Sequence, residues 1–230
     1  MSKLHTDESV NQTTPAALLF DCDGTLLLTA DLHYAGMAKA LQLQCMQMPR
    51  DWYMSLTGLD RTRLFERFMA DFGVTADLPR LVADSMALTI TLAGQARENP
   101  LVAGLARAAA GVLPIAVVTN SEAAIARAFL AESGLHDLFD CIITVDDVRR
   151  PKPEPDIYLA AAVRLDVPAE HCLVLEDSDQ GIESARTAGM QWIDVRSPSW
   201  PSKCQELLRM LQVNFSNAGI RPDRRQNSLA

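Results

Sequence analysis

Short apolar runs that stop at a polar residue recur along the chain. They cover residues 16–20, 115–118, 141–145, 172–175 and 192–195, and the residues that follow them are Asp21, Thr119, Asp146, Glu176 and Arg196. Each run is too short for a helix, and most are rich in Val, Ile or Leu with little alternation. This pattern predicts strands that are buried on both faces of a parallel sheet.

Helical patterns lie between these runs. A helix capped by Ser121 is predicted to end near Gly134, a second to cover residues 156–165, and a third to end at Gly189. Alternating strands and helices predict an α/β fold with a doubly wound, Rossmann-like parallel sheet. Its functional loops are expected at the carboxyl ends of the strands.

One interval breaks this alternation. Between Asp21 and Thr119 the chain runs for about 100 residues, whereas a strand-helix-strand unit needs only about 30. The interval carries apolar residues at helical spacing and contains no convincing strand. We therefore expect a Rossmann-like core over residues 15–30 and 98–200, an inserted helical domain over residues 31–97, and a C-terminal helix and tail over residues 201–230.

Composition restricts the partners. Of the 230 residues, 48% are hydrophobic and 22% are charged, which is typical of a globular protein with a sizeable core. The formal net charge of −8 argues against nucleic acid or an anionic membrane as a main partner. The polar N-terminus lacks the apolar segment of a signal peptide. The five scattered cysteines form no CxxC pair, which favours a reduced, cytoplasmic protein.

The sharpest motif is DCDGT at residues 21–25, directly after the first predicted strand. Asp21 and Asp23 are two residues apart, so in extended backbone they point to the same side. One carboxylate can attack an electrophile while the other transfers a proton. A solvated turn has similar composition, but an EF-hand is excluded because Leu32 stands where the loop requires a glutamate.

Two further motifs suit an anionic ligand. Thr119 and Asn120 lie between a predicted strand and a helix, where a hydroxyl and free N–H groups form an anion site. Lys152 is held between two prolines, and its ammonium could bind a phosphoryl oxygen and pair with an attacking carboxylate. Simple helix capping by Ser121 and a solvated surface lysine are the alternatives.

The last motif offers metal ligands. Glu176 and Asp177 follow another predicted strand, and Mg²⁺ prefers one or two carboxylates together with water and substrate oxygens. Asp177 could instead only cap the next helix. Four chemically matched groups at the strand ends of one sheet favour a phosphoryl site over four unrelated structural roles.

The ordered motifs DCDGT, VVTNS, RPKPEPD and LEDSDQGI resemble the four signature motifs of the haloacid dehalogenase-like hydrolase superfamily. The resemblance covers roughly residues 15–196, and the helical insertion is similar to the cap of the β-phosphoglucomutase-like branch and its sugar-phosphate phosphatases. It implies Mg²⁺-dependent hydrolysis of a small phosphorylated metabolite, a sugar phosphate or sugar-acid phosphate, through an aspartyl phosphate. A monomer is expected, since the cap must open and close.

The same resemblance implies roles for individual residues. Asp21 would be the nucleophile, Asp23 the general acid and base, and Lys152 a charge-neutralising group. The substrate-binding residues would be Thr119, Asn120, His33, Gly58 and Arg61. The magnesium ligands would be Asp21, the carbonyl of Asp23 and Asp177, with Glu176 assisting.

Two positions depart from the pattern of the branch. Leu28 stands where an acidic residue is common, which bears on the hinge, and Thr57 stands where the mutase has a lysine. A phosphomutase is therefore the first alternative, disfavoured by Thr57. A dehalogenase would lack Asp23, and a phosphonate hydrolase would need a Schiff-base lysine that Lys39, inside a predicted helix, does not provide. A phosphoacceptor receiver domain would carry its acidic pair before the phosphoacceptor, the reverse of the order found here.

Overall fold

A computed structural model describes residues 14–56 and 59–218 of the chain, with side chains up to residue 212. Its strands are β1 (Ala17–Phe20), β2 (Leu27–Leu28), β3 (Arg97–Glu98), β4 (Ile115–Val118), β5 (Cys141–Ile143), β6 (Cys172–Glu176) and β7 (Gln191–Asp194). Its helices are α1 (Ala30–Leu43), α2 (Arg50–Met54), α3 (Arg61–Phe72), α4 (Leu78–Ile90), α5 (Pro100–Ala109), α6 (Ala123–Glu132), α7 (Asp156–Leu165), α8 (Asp179–Thr187) and α9 (Trp200–Ala218).

Five parallel strands form the central sheet in the order β5-β4-β1-β6-β7. The central strand β1 is paired on both sides, so that Leu18 lies beside Ile115 of β4 and Leu173 of β6. All the residues of β1, β4 and β6 are buried. The predicted doubly wound α/β fold is confirmed, because the apolar runs do form a parallel sheet that is covered on both faces.

Successive residues of β1 face opposite sides of the sheet, as the period of a strand requires. Leu18 and Phe20 pack in one core with α5, α6 and α9, whereas Ala17 and Leu19 pack in another with α7 and α8. Burial on both faces explains why these strands show no alternation in the sequence. Because the strands are parallel, the polar residues that follow them all lie at one edge of the sheet.

The insertion contains helices α1 to α4 and has its own apolar core, which includes Met37, Leu41, Phe65, Phe68 and Leu81. Helices α1 and α4 approach closely at Gly36, where a β-carbon would overlap the hydroxyl of Thr89. Aspartates begin α3 and α4, since Asp60 and Asp77 each accept a hydrogen bond from the backbone N–H three residues later.

As expected, no strand lies among helices α1 to α4, but two short strands that were not predicted lie at the base of the insertion. Strands β2 and β3 pair antiparallel there, with Leu27 opposite Glu98 and Leu28 opposite Arg97. This two-residue ladder joins the core to the inserted helices. Leu28 in this ladder is half exposed.

The C-terminal helix is longer than predicted. Within the C-terminal segment the sequence predicts one short helix over residues 203–211 followed by a mostly polar, loose tail, but α9 begins at Trp200 and continues to Ala218. Cys204, Leu207 and Leu211 fix it against the core. Within the described residues, no helix combines the length and the apolar character needed to cross a membrane.

Candidate active site

A cavity of about 120 Å³ opens at the carboxyl edge of the sheet, between the core and the inserted helices. It is lined by all the described residues that the sequence predicts as functional: Asp21, Asp23, His33, Arg61, Thr119, Asn120, Lys152, Glu176 and Asp177. The expectation for Gly58 lies outside the described residues, as does that for Thr57. The structure therefore brings four distant segments of the chain to one place.

Asp21 lies at the end of β1, and its side chain is only 8% exposed. Its Oδ1 accepts a hydrogen bond from Lys152 Nζ at 2.7 Å. Its Oδ2 is buried and has no hydrogen-bond partner. A buried carboxylate oxygen without a partner is costly, so this atom is available to a ligand.

Lys152 is completely enclosed by acceptors. Besides Asp21, its Nζ donates to Glu176 Oε2 at 2.7 Å and to the carbonyl of Val118 at 2.9 Å. The ring of Tyr158 lies 4.9 Å away from the same atom. Burial opposes the charge, but Asp21 and Glu176 outweigh it and raise the pKa of Lys152, which is therefore an ammonium.

Glu176 holds this arrangement in place. Its Oε2 accepts from Lys152 and from the hydroxyl of Tyr158 at 2.8 Å, while its Oε1 accepts from the backbone N–H of Asp177 and from the N–H and hydroxyl of Ser178. Burial alone would raise its pKa, but the Lys152 charge lowers it below the usual range. Since both oxygens are occupied, Glu176 is placed to orient Lys152, and the assisting role expected at a metal stays a prediction.

Glycines allow the carboxylates to approach the backbone. Gly24 has φ of 93°, which favours glycine, and a β-carbon there would overlap Asp177 Oδ2. A β-carbon on Gly181, in the first turn of α8, would overlap the carboxyl of Glu176. The two glycines lie in different parts of the fold, after β1 and in α8, and their close contacts fix the positions of the adjacent side chains of Asp177 and Glu176.

The acidic cluster has the chemistry of a cation site. Ligand oxygens of Asp21, Glu176 and Asp177 lie within 4.8 Å of one another. Burial and the charge of Glu176 raise the pKa of Asp177 to about 7. Burial, and to a smaller extent the charge of Glu176, also raise the pKa of Asp21. A hard divalent cation would offset this repulsion, and the unpartnered Asp21 Oδ2 together with Asp177 would supply its protein ligands.

Asp23 accepts four hydrogen bonds. Oδ1 receives the hydroxyl of Thr29 at 2.6 Å and His33 Nε2 at 2.8 Å, and Oδ2 receives the hydroxyls of Thr119 at 3.1 Å and Ser121 at 2.6 Å. Burial alone would raise the pKa of Asp23, but His33, Ser121 and Thr29 together lower it. Asp23 is thus ionised and held by both the core and the first inserted helix.

His33 links Asp23 to the cap. Its Nδ1 lies 3.3 Å from an Arg61 NH2 group, and since a guanidinium only donates, Nδ1 is the acceptor and Nε2 carries the hydrogen given to Asp23. Arg61 also donates from NH1 to Ser85 on α4 and from Nε to Glu122 at the start of α6, at 2.9 Å. Arg61 is buried, unlike Arg63 and Arg67 on the same helix, which pair with neighbouring aspartates.

The side chain of Asn120 supports the loop that carries Lys152. Its Oδ1 accepts from the backbone N–H of Lys152 at 3.0 Å, and its Nδ2 donates to the carbonyl of the same residue at 3.2 Å. The peptide bond that follows, between Lys152 and Pro153, is cis. Asn120 lines the cavity, and its expected contact with a phosphoryl group stays a prediction.

Sequence reasoning missed several groups that complete the site: Thr29, Ser85, Ser121, Glu122 and Tyr158. Ser121 was interpreted only as a helix cap, although the helix begins at Ala123 and the hydroxyl faces Asp23. Glu122, one residue further, carried a weak signal as a charge beside a motif. Nothing in the local sequence marks Tyr158, whose hydroxyl reaches Glu176 through packing.

The fold and the site together define an α/β enzyme with a helical cap, in which a buried aspartate, a lysine and a cluster of carboxylates line one cavity. Comparison with known proteins gives the family. The sequence model of the haloacid dehalogenase-like hydrolase family matches residues 18–195, and the chain belongs to this family.

Two curated relatives are similar over most of their length. Fructose-1-phosphate phosphatase YqaB of Escherichia coli (strain K12) is 35% identical, over 79% of this chain and 96% of its own. Protein CbbY of Rhodobacter capsulatus is 34% identical, over 76% of this chain and 82% of its own. The expected resemblance to the sugar-phosphate phosphatase branch is confirmed.

A solved structure shows the same architecture. A CbbY variant from Rhodobacter sphaeroides, crystallised in complex with xylulose 1,5-bisphosphate, superimposes with a TM-score of 0.72 at 27% identity. The alignment covers 78% of this chain and 85% of the CbbY chain.

Proposed function

We propose that this phosphatase, a phosphoric monoester hydrolase of the haloacid dehalogenase-like family, hydrolyses a small phosphorylated metabolite with Mg²⁺ and through an aspartyl phosphate. The substrate would be a sugar phosphate or a sugar-acid phosphate. The observation that carries the proposal is the state of Asp21: it is buried, its Oδ1 is bound by Lys152, and its Oδ2 has no hydrogen-bond partner.

In the first step, one oxygen of Asp21 forms a bond to phosphorus while the bond from phosphorus to the ester oxygen breaks. This step requires the protonated form of Asp23, which gives its proton to the departing alcohol oxygen and so becomes the ionised form that the second step uses as a base. Lys152, held against Asp21 and Glu176, keeps positive charge beside the oxygens on which negative charge develops.

In the second step, Asp23 takes a proton from a water molecule that attacks phosphorus, which releases inorganic phosphate and restores Asp21. The four donors around Asp23 favour its ionised form, as a base requires. The hydroxyls of Thr119 and Ser121 orient the carboxylate from the core, and His33 orients it from the cap. Mg²⁺, held by Asp21, Asp177 and the carbonyl of Asp23, would supply charge stabilisation to the transferred group.

The proposal is tested by phosphate release from a panel of phosphorylated metabolites, with Mg²⁺ or with EDTA. We expect Mg²⁺-dependent turnover that Asp21→Asn abolishes. Asp137→Asn makes the same chemical change at a fully exposed side chain and should retain activity. Equal activity in the Asp21 variant would contradict the proposal.

The same panel separates the alternatives. A phosphomutase would convert a sugar phosphate to its isomer with little release of phosphate, and a receiver domain would hold a stable aspartyl phosphate without turnover. Trapping with ³²P-labelled substrate and acid quenching should label the wild type transiently on Asp21. Labelling of the Asp21→Asn variant would contradict the proposed nucleophile.

A further inference from the structure

The cavity contains an ion pair that the reaction at phosphorus does not use. Arg61 Nε lies 2.9 Å from Glu122 Oε1, and the two side chains are 3% and 12% exposed. Arg61 begins a helix of the cap, whereas Glu122 precedes a helix of the core. Both residues line the same cavity as Asp21.

This pair controls the charge of the cavity on the cap side. Among the described residues that line it, the lysine and arginine side chains are Lys152 and Arg61. Lys152 is bound between Asp21 and Glu176 at the sheet edge, so its charge acts on the phosphoryl group that Asp21 attacks. Arg61 is therefore the cation left for a second anionic group of a substrate, and Glu122 neutralises it.

A second phosphate or a carboxylate would meet two obstacles here. It would lie beside the negative charge of Glu122, and to bind Arg61 it would have to displace that carboxylate. Displacement leaves Glu122 without a counter-ion in a place where it is 88% shielded from water, which is strongly unfavourable. Like charges placed together at a binding site exclude the wrong partner in this way.

Hydroxyl groups meet no such obstacle. The guanidinium has five N–H donors, and three of its nitrogens have one contact each, with Glu122, Ser85 and His33. Donors remain for a substrate oxygen, and the neighbouring carboxylate accepts a hydrogen bond from a substrate hydroxyl. A donor and an acceptor side by side suit the vicinal hydroxyls of a polyol.

We propose that Glu122 is a specificity-determining residue that restricts the substrate to phosphate monoesters of neutral, hydroxyl-rich alcohols. Esters that carry a second phosphate or a carboxylate are excluded. The inference rests on the proposed phosphatase activity and narrows its substrate from sugar phosphates and sugar-acid phosphates to neutral sugar monophosphates. Xylulose 1,5-bisphosphate, the ligand of the CbbY structure, belongs to the class that this chain would reject.

The test compares two substrates that differ by one phosphate, fructose 1-phosphate and fructose 1,6-bisphosphate. For each protein the ratio of their kcat/KM values is measured with saturating Mg²⁺. The ratio cancels any loss of folded enzyme, because both substrates use the same preparation. Variants Glu122→Gln and Glu122→Lys remove and reverse the charge, and Glu132→Gln provides the same change at an exposed position of the same helix.

We expect the wild type and Glu132→Gln to prefer the monophosphate by about a hundredfold, and Glu122→Gln to lower this preference about tenfold, mainly through a lower KM for the bisphosphate. Glu122→Lys should lower it further. An unchanged ratio in both Glu122 variants, or a wild type that prefers the bisphosphate, would overturn the inference while leaving the phosphatase activity intact. A lack of phosphate release from every ester would instead contradict the proposed function itself.

Discussion

Glu176 Oε2 lies 2.7 Å from Lys152 Nζ, and the side chains are 1% and 2% exposed. The pair comes from two segments that meet only in the folded protein, since β6 carries Glu176 and the loop before α7 carries Lys152. Removing one partner of this buried pair should therefore change both the stability of the fold and the enzymatic activity.

The first prediction is that Glu176→Gln lowers the free energy of unfolding by about 3 kcal/mol, because removing one partner of a buried ion pair leaves the other charge poorly compensated. Phosphate release should also fall, since Lys152 loses one of the groups that orient it. Urea unfolding and steady-state kinetics measure the two effects. Glu170→Gln, at an exposed position, is the control, and equal stability of the two variants would show that the pair is not important.

The second prediction concerns the space around the same carboxyl group. Gly181→Ala places a methyl group on Glu176, and overpacking of this kind costs about 1–3 kcal/mol. Gly104→Ala is the matched control, since it lies inside α5 with no atom within 4 Å of its added β-carbon. We expect Gly104→Ala to be as stable as the wild type or more so, and Gly181→Ala to unfold at lower urea concentration with reduced kcat. A Gly181 variant that is as stable and active as the Gly104 variant would contradict the packing described.

The third prediction separates backbone strain from displacement of an acidic side chain. Gly24→Ala and Gly111→Ala both introduce a β-carbon at positive φ, of 93° and 74°, but only at Gly24 does the new atom overlap Asp177 Oδ2. Both variants should lose some stability. The Mg²⁺ concentration for half-maximal activity should rise about tenfold or more in the Gly24 variant alone, since carboxylate placement decides Mg²⁺ affinity. A similar rise in both variants would assign the effect to the backbone.

The fourth prediction is that Mg²⁺ stabilises the fold in the absence of substrate. A ligand present at a hundred times its Kd adds about 2.7 kcal/mol to the free energy of unfolding, which appears as a higher melting temperature in calorimetry. Asp177→Asn should remove most of this shift, whereas Asp137→Asn should retain it. If the melting temperature of the wild type does not respond to Mg²⁺, the acidic cluster is not a magnesium site.

Several elements could be predicted from local pattern. The strand over residues 115–118 and the helix over residues 156–165 were predicted with the bounds that are observed. Burial on both faces gives a continuous apolar run, and a proline before a periodic segment marks the start of a helix, so these signals are local. Strands β2 and β3 have two residues each and no periodicity, and tertiary pairing alone creates them.

The residues of the site also fall into two groups, those that local motifs predict and those that only tertiary packing brings into place. Residues 21, 23, 152, 176 and 177 lie in motifs whose chemistry is legible in the sequence, and the structure brings them to one cavity. Tyr158 and Ser85 contribute through long-range contacts, with Glu176 and with Arg61. Such contacts depend on how helices pack, and one residue's neighbours in the sequence do not encode them. Glu122 was overlooked because a charge at a helix start is common.

The strand order has a consequence for how such an enzyme can change its preferences. Because β1 is flanked directly by β4 and β6, three adjacent strands and the loop that carries Lys152 position every group that would act on phosphorus, and the chain enters and leaves the cap through the paired strands β2 and β3. Helices grafted between those two strands from another family member would exchange the leaving-group preference and leave the chemistry in place. On the core side, Glu122 pairs with Arg61 of the cap, so such a chimera would need a residue at position 122 that suits the new cap.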